Sequence, residues 1–544
     1  MGKKVSDNPL KGDRKFISGA KIVSVILYVL FFVLMLITLY NKENYHVDEL
    51  LSYGLANHHA GIGISFEDGV KYTSADDPFM EYLTVDPKYR FDYKMVWENQ
   101  ENDVHPPLYY TILHTICSFM AGSFSKWYAG AINIVFALLI LFVLRKTFRL
   151  LVDDELACDI FSIAFILSSG FLSIIAFLRM YIMAMFWVAL LTYVIIKRVV
   201  DEPGDKKGKT LFYVKVFSVA LCGALTHYYC IMFTVFICAT LSVFWLVKKN
   251  WRSVLNLIVT GGLVAGSTYL IFPPFIHHMF SGTRGTESLE NMKQTPAEYW
   301  NRLKIFTNIL DEEIGGSVLM LFLAALVITL LLCIFQKIKG RDVSFITSAE
   351  NKPVASYRLD VYALMFPPLI MYFLFVSKTA SYTQGRYMSP SYAVMFLSFI
   401  ALLFVLLSRV FKREHVLAIM LVLSSVICVN EWKDNKWEFL YKSYAQIEEK
   451  AKEYHDVDAL FIYKGWWHSL PSYAEIKNYR SVTFVKNDNL EVLEGLEIMD
   501  QDQLIVFVPD KEDALLNELL QYDSKLSTTD RIGFTGYSNS YYFH

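Results

Sequence analysis

Charged residues are scarce in this chain: Asp, Glu, Lys and Arg make up 19% of its 544 residues, against 54% hydrophobic and 16% aromatic. With a mean hydropathy of +0.34, that composition excludes a water-soluble globule and leaves a polytopic membrane protein. A net charge of −2 provides no overall basic field, so nucleic acid is not an expected partner. The seven cysteines, at 117, 158, 222, 230, 238, 333 and 428, all fall in apolar stretches, where neither a disulfide framework nor a zinc pattern is visible. No small-residue cleavage site follows the first apolar run, Ile22 to Tyr40, which is long enough to cross a bilayer and is expected to anchor the chain. Residues 1–20 are then cytoplasmic. The terminal Tyr-Tyr-Phe-His lacks an endoplasmic-reticulum retention signal, which favours a bacterial plasma membrane.

Further apolar runs cover 128–145, 158–178, 180–198, 210–226, 228–247, 253–275, 313–335, 359–376, 389–408 and 415–430, giving about eleven spans. The shorter run from Pro107 to Met120 is expected to lie on the membrane rather than cross it. With that assignment the basic connections Arg145–Arg149, Lys197–Lys209, Lys248–Arg252, Lys337–Arg341 and Arg409–Arg413 all face the cytoplasm. Residues 41–127 become a first outer loop with interfacial helices inside a transmembrane domain of residues 21–430. Residues 431–544 form a small extracytoplasmic α/β domain. In that tail, Ala459–Tyr463, Ser481–Val485 and Leu504–Val508 read as strands and Asp510–Gln521 as a helix, while the aromatic end Tyr537–Phe543 closes the sheet. The tail either caps the membrane domain or grips an acceptor.

Five polar clusters interrupt the apolar pattern, and the orientation above places all five outside. Asp48-Glu49 follows the first span and opens a short amphipathic helix. Residues 41–104 hold thirteen acidic side chains against five basic ones, so an adjacent acidic pair is also expected by accident. In Asp103-Val104-His105-Pro106-Pro107-Leu108-Tyr109-Tyr110 the prolines stiffen the entry to the next helix and aim a carboxylate and an imidazole. Arg179, beside Tyr181 at a tight junction of two spans, has the geometry to fork onto a phosphate. Arg386 with Tyr387 repeats that arrangement, and His227 with Tyr228 forms a further polar rim. Taken singly, each of these is more often an interfacial anchor than a ligand contact.

In this order, the Asp-Glu pair, His-Pro-Pro-Leu-Tyr-Tyr, Arg-Met-Tyr, Thr-His-Tyr-Tyr and Gly-Arg-Tyr resemble the C-type (GT-C) membrane glycosyltransferases over most of residues 20–430. More narrowly, the chain resembles bacterial relatives of the protein O-mannosyltransferases and of the lipid A aminoarabinose transferase, which take a sugar from a polyprenyl phosphate. The resemblance implies an inverting transfer on the outer face, with Asp48 as the favoured catalytic residue and Asp103 as a second acidic position. It implies Glu49, His105, Tyr109, Arg179, Tyr181, His227, Tyr228, Arg386 and Tyr387 as substrate-binding residues. Expected partners are a polyprenyl-phosphate-linked sugar, membrane lipids and an acceptor glycan, lipid or protein. If a Mg²⁺ or Mn²⁺ ion takes part, Asp48 and Asp103 are its expected ligands. The rival class is a transporter or flippase of a lipid-linked glycan, which would place ionisable groups near the bilayer midplane. Here the spans are nearly free of charge away from their ends.

Overall fold

The computed structural model describes residues 10–202, 205–315, 359–433, 437–511 and 529–544, with the isolated positions 323, 327, 331, 515, 516 and 519. Apolar runs of span length become helices because hydrocarbon offers no partner to backbone N–H and C=O groups. After α1 (Leu10–Tyr40), the long loop contains α2 (Val47–Asn57), β1 (Lys71–Tyr72), α3 (Pro78–Leu83), α4 (Tyr93–Asn102) and α5 (Leu108–Phe119). Then come α6 (Lys126–Leu151), α7 (Glu155–Ile166), α8 (Ser169–Ala176), α9 (Tyr181–Asp201), α10 (Lys206–Ala224), α11 (Tyr228–Val247) and α12 (Trp251–Ile271). Next are α13 (Phe275–Phe280), α14 (Thr283–Asn291), α15 (Pro296–Glu313), α16 (Leu359–Thr379), α17 (Ser389–Leu407) and α18 (Arg413–Lys433).

Among the described residues, α1, α6, α9, α11, α12, α16, α17 and α18 contain stretches long and apolar enough to cross a bilayer. The pair α7 and α8, bent by 53°, makes a ninth if it is one span. This is a multi-pass membrane protein. The difference from the expected eleven has two sources. α10 (Lys206–Ala224) contains most of the expected 210–226 run, but with Lys206, Lys207 and Lys209 at its start and Lys215 within it, it is not among those helices. The expected 313–335 run and the Lys337–Arg341 connection fall almost entirely outside the described residues. The Pro107–Met120 run is the short helix α5, which is not among the spans.

The chain divides into two compact units: Met1–Ile37, Asn133–Ile175 and Met180–Trp437 form the first, and Thr38–Ile132, Ala176–Arg179 and Glu438–His544 the second. In the first unit α17 is buried along nearly its whole length. α11 and α12 instead turn Val235, Val243, Leu246, Leu263 and Leu270 outward, an apolar surface suited to lipid. Arg145, expected in a connection, lies inside α6, buried and bonded to Asp159 (2.8 Å), Ser162 (2.7 Å) and Ser24 (2.9 Å).

The second unit is built on a six-stranded sheet of order β1-β3-β2-β4-β6-β5. Its tail contributes α19 (Tyr444–Glu453), β2 (Asp458–Tyr463), α20 (Tyr473–Ile476), β3 (Ser481–Lys486), β4 (Leu504–Pro509), β5 (Thr529–Phe534) and β6 (Ser538–Phe543). β2 runs parallel to β3 and β4, while β6 is antiparallel to both β4 and β5. β2 and β4 are buried at every residue, which is why they read as unbroken apolar runs. The three expected strands and the aromatic closing strand lie where they were predicted. β1 was not foreseen: the long loop supplies it, and it pairs antiparallel with β3. The helix predicted over Asp510–Gln521 lies largely outside the described residues.

Glu475 of α20 is buried, with one carboxylate oxygen accepting the Tyr479 hydroxyl at 2.9 Å. Burial pushes its carboxyl up to about 7, against the opposing hydrogen bonds from Ser540 and Tyr479. Because the folded value is raised, Glu475 favours folding most below its unfolded value of 4.5, and that contribution disappears as pH rises through about 7. The swing is about 3 kcal/mol. Thermal unfolding of the detergent-solubilised protein should show Glu475→Gln flattening the stability loss between about pH 5 and pH 8.

Candidate active site

The second unit gathers Asp48, Glu49, Asp103, His105, Tyr109 and Arg179. The start of α2 sets the geometry. His46 caps it, with Nδ1 accepting the Asp48 N–H at 3.1 Å while Glu49 reaches back to the His46 N–H at 2.6 Å. This is a capping box with histidine in the usual Ser/Thr place. Both Glu49 and Lys42 are fully buried, and Lys42 Nζ donates to Glu49 Oε2 at 2.9 Å and to the Phe439 carbonyl at 2.7 Å. The other Glu49 oxygen accepts the Leu178 N–H at 2.6 Å. Burial raises the Glu49 carboxyl and lowers the Lys42 ammonium, and their mutual attraction opposes both shifts.

One residue to the side of Glu49 and of Leu178, Asp48 Oδ2 meets Arg179 Nη1 at 2.9 Å. The Asp48 side chain keeps 20% of its exposure, whereas Arg179 is almost wholly enclosed. Arg179 Nη2 also donates to the Tyr110 hydroxyl at 3.3 Å. His46 Nδ1 lies 3.7 Å from Asp48 Oδ2, but this nitrogen already accepts an N–H, so it makes no ion pair there.

Asp103 ends α4, and its Oδ2 stands 2.7 Å from His105 Nδ1, with both side chains about one-fifth exposed. A carboxylate only accepts, so Nδ1 carries the proton and Nε2 keeps the lone pair. Burial by itself would raise the Asp103 carboxyl. The charge and hydrogen bond of His105, the Val104 N–H and the Arg179 charge outweigh burial and hold it below the ordinary range. Burial lowers the His105 imidazole, Asp103 opposes that, and Arg179 adds to it. The site therefore holds two carboxylates, one guanidinium and a neutral imidazole, with Asp48 and Asp103 partly open.

Tyr181, His227, Tyr228, Arg386 and Tyr387 lie in the first unit, where a ring network connects four of them. The Tyr181 and His227 rings are 5.4 Å apart, His227 and Tyr229 5.3 Å, and Tyr229 and Tyr387 5.9 Å. Arg386 lies over the Tyr387 ring at 5.4 Å. Tyr228 bonds instead to His278 Nδ1 at 2.7 Å. Gly385 precedes Arg386 because the Glu313 carboxylate occupies the space a Cβ would need. Glu313, which sequence reading missed, also accepts the Tyr392 hydroxyl.

Two expected roles need correction. Glu49 was expected to bind substrate, but it is fully buried and receives Lys42, His46 and Leu178, so it holds the framework. Tyr109 is likewise enclosed, and the tyrosine that reaches Arg179 is Tyr110. Lys42 was not singled out, although the spacing of His46 and Glu49 signalled the cap beside it. Asp48 and Asp103, the expected ligands of a divalent cation, each turn Oδ2 to a protein donor, Arg179 and His105, so an ion there would bind through their other carboxylate oxygens.

No protein-family model and no curated protein matches the sequence. Solved structures do match. ArnT from Cupriavidus metallidurans bound to undecaprenyl phosphate aligns at TM-score 0.52 and 10% identity, over 95% of this chain and 97% of that one. The apo state of the same protein aligns at TM-score 0.49 and 10% identity, over 96% and 98%. The archaeal oligosaccharyltransferase AglB from Archaeoglobus fulgidus, in complex with an inhibitory peptide and a dolichol-phosphate, aligns at TM-score 0.43 and 11% identity, over 96% and 74%. ArnT is the lipid A aminoarabinose transferase, one of the enzymes to which the sequence resemblance points. At this identity the first likeness shows a shared fold, and it extends over nearly the whole of both chains: the fold is GT-C.

Removing one member of the buried Lys42–Glu49 pair strands the other without compensation, a loss of about 3–5 kcal/mol. Lys42→Met should therefore lower the thermal midpoint sharply. Lys42→Met with Glu49→Gln should recover part of the loss, since the glutamine carbonyl still accepts an N–H.

Proposed function

We propose that the chain is an inverting glycosyltransferase that moves a sugar from a polyprenyl-phosphate donor to an acceptor on the outer face of the membrane. The acceptor is a cell-envelope glycan, a glycolipid or a protein. The observation that carries this reading is the Asp48–Arg179 contact of 2.9 Å beside the Asp103–His105 dyad, which sets carboxylates and a guanidinium side by side in one partly open site. The GT-C fold supports it.

In the proposed step, an acceptor hydroxyl oxygen forms a bond to the anomeric carbon as the bond from that carbon to the phosphate oxygen breaks. The electron pair leaves with the polyprenyl phosphate, and the acceptor proton passes to Asp48 as general base. One displacement inverts the anomeric centre. Negative charge grows on the leaving phosphate, where Arg179 supplies a fixed cation with two N–H groups directed along one plane. His105, oriented by Asp103, is proposed to contact the donor. Every proton transfer runs through side chains of the chain itself.

Asp48→Asn keeps the shape and removes the base, so turnover of a labelled polyprenyl-phosphate sugar should fall about 10²–10⁴-fold in protein that remains folded. Unaltered transfer would remove Asp48 from that role. Arg179→Gln should weaken donor binding about 10–100-fold, the value of one or two charge-assisted hydrogen bonds. Envelope glycans from cells lacking the protein, compared by mass spectrometry, should miss one sugar branch, which identifies the donor and the acceptor together.

A further inference from the structure

Between α2 and α3 lies a second cluster that the proposed reaction does not use. His58 is the first residue after α2, His59 follows it, and Glu81 sits in α3. One potential ligand atom from each lies within 4.8 Å of the other two.

The cluster is built in a directed way. His58 is 7% exposed, and its Nδ1 lies 2.9 Å from the Gly61 carbonyl oxygen. A carbonyl only accepts, so Nδ1 bears the proton and Nε2 is the basic nitrogen of the ring. Metal-binding histidines are commonly oriented in this way, through a bond from the second ring nitrogen to a backbone carbonyl. Gly61 turns back toward His58 at φ +108°, a conformation open to glycine. Asn99 Nδ2 donates to the His58 carbonyl at 2.9 Å, and the Tyr82 ring meets the imidazole at 5.2 Å. His59 is stacked on Tyr89, with ring centroids 4.5 Å apart and planes within 13°.

We propose that His58, His59 and Glu81 form a Zn²⁺ site, completed by water, that ties the C-terminal end of α2 to α3. Two imidazoles and one carboxylate suit zinc, which takes N and O ligands at about 2.0–2.2 Å, whereas Mg²⁺ and Ca²⁺ favour oxygen alone. Ligand atoms around a tetrahedral ion stand about 3.3 Å apart, so the widest pair has to close by at most about 1.5 Å. His59 and Glu81 are exposed and can swing that far about their side-chain bonds while buried His58 stays fixed. The site goes beyond the proposed reaction and does not depend on it.

The test uses untagged full-length protein in detergent, stripped by chelator and then equilibrated with Zn²⁺ against a chromophoric zinc chelator. Bound metal is counted by elemental mass spectrometry. The wild type should retain one Zn²⁺ per chain, and Mg²⁺ in excess should not displace it. Glu81→Gln, on an exposed side chain where folding is not at risk, should weaken Zn²⁺ at least about 100-fold, and His58→Ala and His59→Ala should do the same. Co²⁺ in place of Zn²⁺ should give visible absorption in the wild type that the variants lose. A wild type that retains no zinc, or a Glu81→Gln protein that binds it unchanged, overturns the proposal. Metal content is read without any transfer assay, so this result stands apart from the fate of the glycosyltransferase reading.

Discussion

A carboxylate taken out of water must find its hydrogen-bond donors in the protein, and Glu49 finds three: the Lys42 ammonium, the His46 N–H and the Leu178 N–H. Each charge-assisted bond of this kind contributes about 1.5–3 kcal/mol, and a missing donor exposes the full desolvation cost. The consequence is one of register. Glu49 and Leu178 are fixed to each other at 2.6 Å, and their sequence neighbours Asp48 and Arg179 are thereby brought to 2.9 Å. Lys42 extends the same lock to Phe439, so the loop after α1, the turn before α9 and the start of the tail share one buried joint within the second unit. The candidate catalytic pair follows from that joint.

On the proposed reaction, the resting contact between Asp48 and Arg179 also couples donor binding to chemistry. A guanidinium engaged by a carboxylate has to divide its donors when a phosphate arrives. The new negative charge beside Asp48 then raises the proton affinity of that carboxylate, as neighbouring like charges do. The base is strengthened when the donor is present. Asp103 contributes in another way: by holding His105 Nδ1–H, it fixes which nitrogen faces away from the dyad.

The large elements were legible because their signals are long and redundant. A run of about twenty apolar residues has few alternatives to a span, and β2 and β4 announce themselves as short apolar strands bounded by polar turns. β1 and β5 were not legible: two residues, Lys71 and Tyr72, carry no periodicity, and Thr-Asp-Arg-Ile-Gly-Phe is too polar and too glycine-interrupted to read as a strand. The site divides along the same line. Asp48, Asp103, His105 and Arg179 stand in motifs of distinctive residue type, so their convergence was anticipated. Glu49 was assigned to substrate because its burial depends on Lys42 and on the distant Leu178, which no local pattern reveals. Tyr109 and Tyr110 are adjacent, and only the helical phase of α5 decides which one meets Arg179. The His58, His59 and Glu81 cluster has no recognisable spacing, since its third member comes from another helix.

The acidic excess of residues 41–104 looked like a weak guide, and the structure shows how such side chains separate by function. Asp77, Asp86 and Asp92 cap helices, with carboxylate oxygens on backbone N–H groups at the helix starts. Asp68 accepts the Lys486 N–H at 3.0 Å and the Asn489 amide at 2.7 Å, a bond between the long loop and the tail. In the tail, Asp458 is almost fully enclosed, forked onto Arg480 at 2.8 and 2.7 Å, and held well below the ordinary carboxylate range despite burial by its Arg480, Ser481 and Lys71 donors. Backbone donors and enclosed forks fix a carboxylate in one protonation state and one place. Asp48 and Asp103 differ in access: Asp458 is almost fully enclosed, whereas each of these two, paired with Arg179 and His105, keeps about one-fifth of its surface open. On the proposed reaction Asp48 must accept a proton from an acceptor hydroxyl, and a carboxylate can do so only where that hydroxyl can reach it, which the enclosure of Asp458 does not allow.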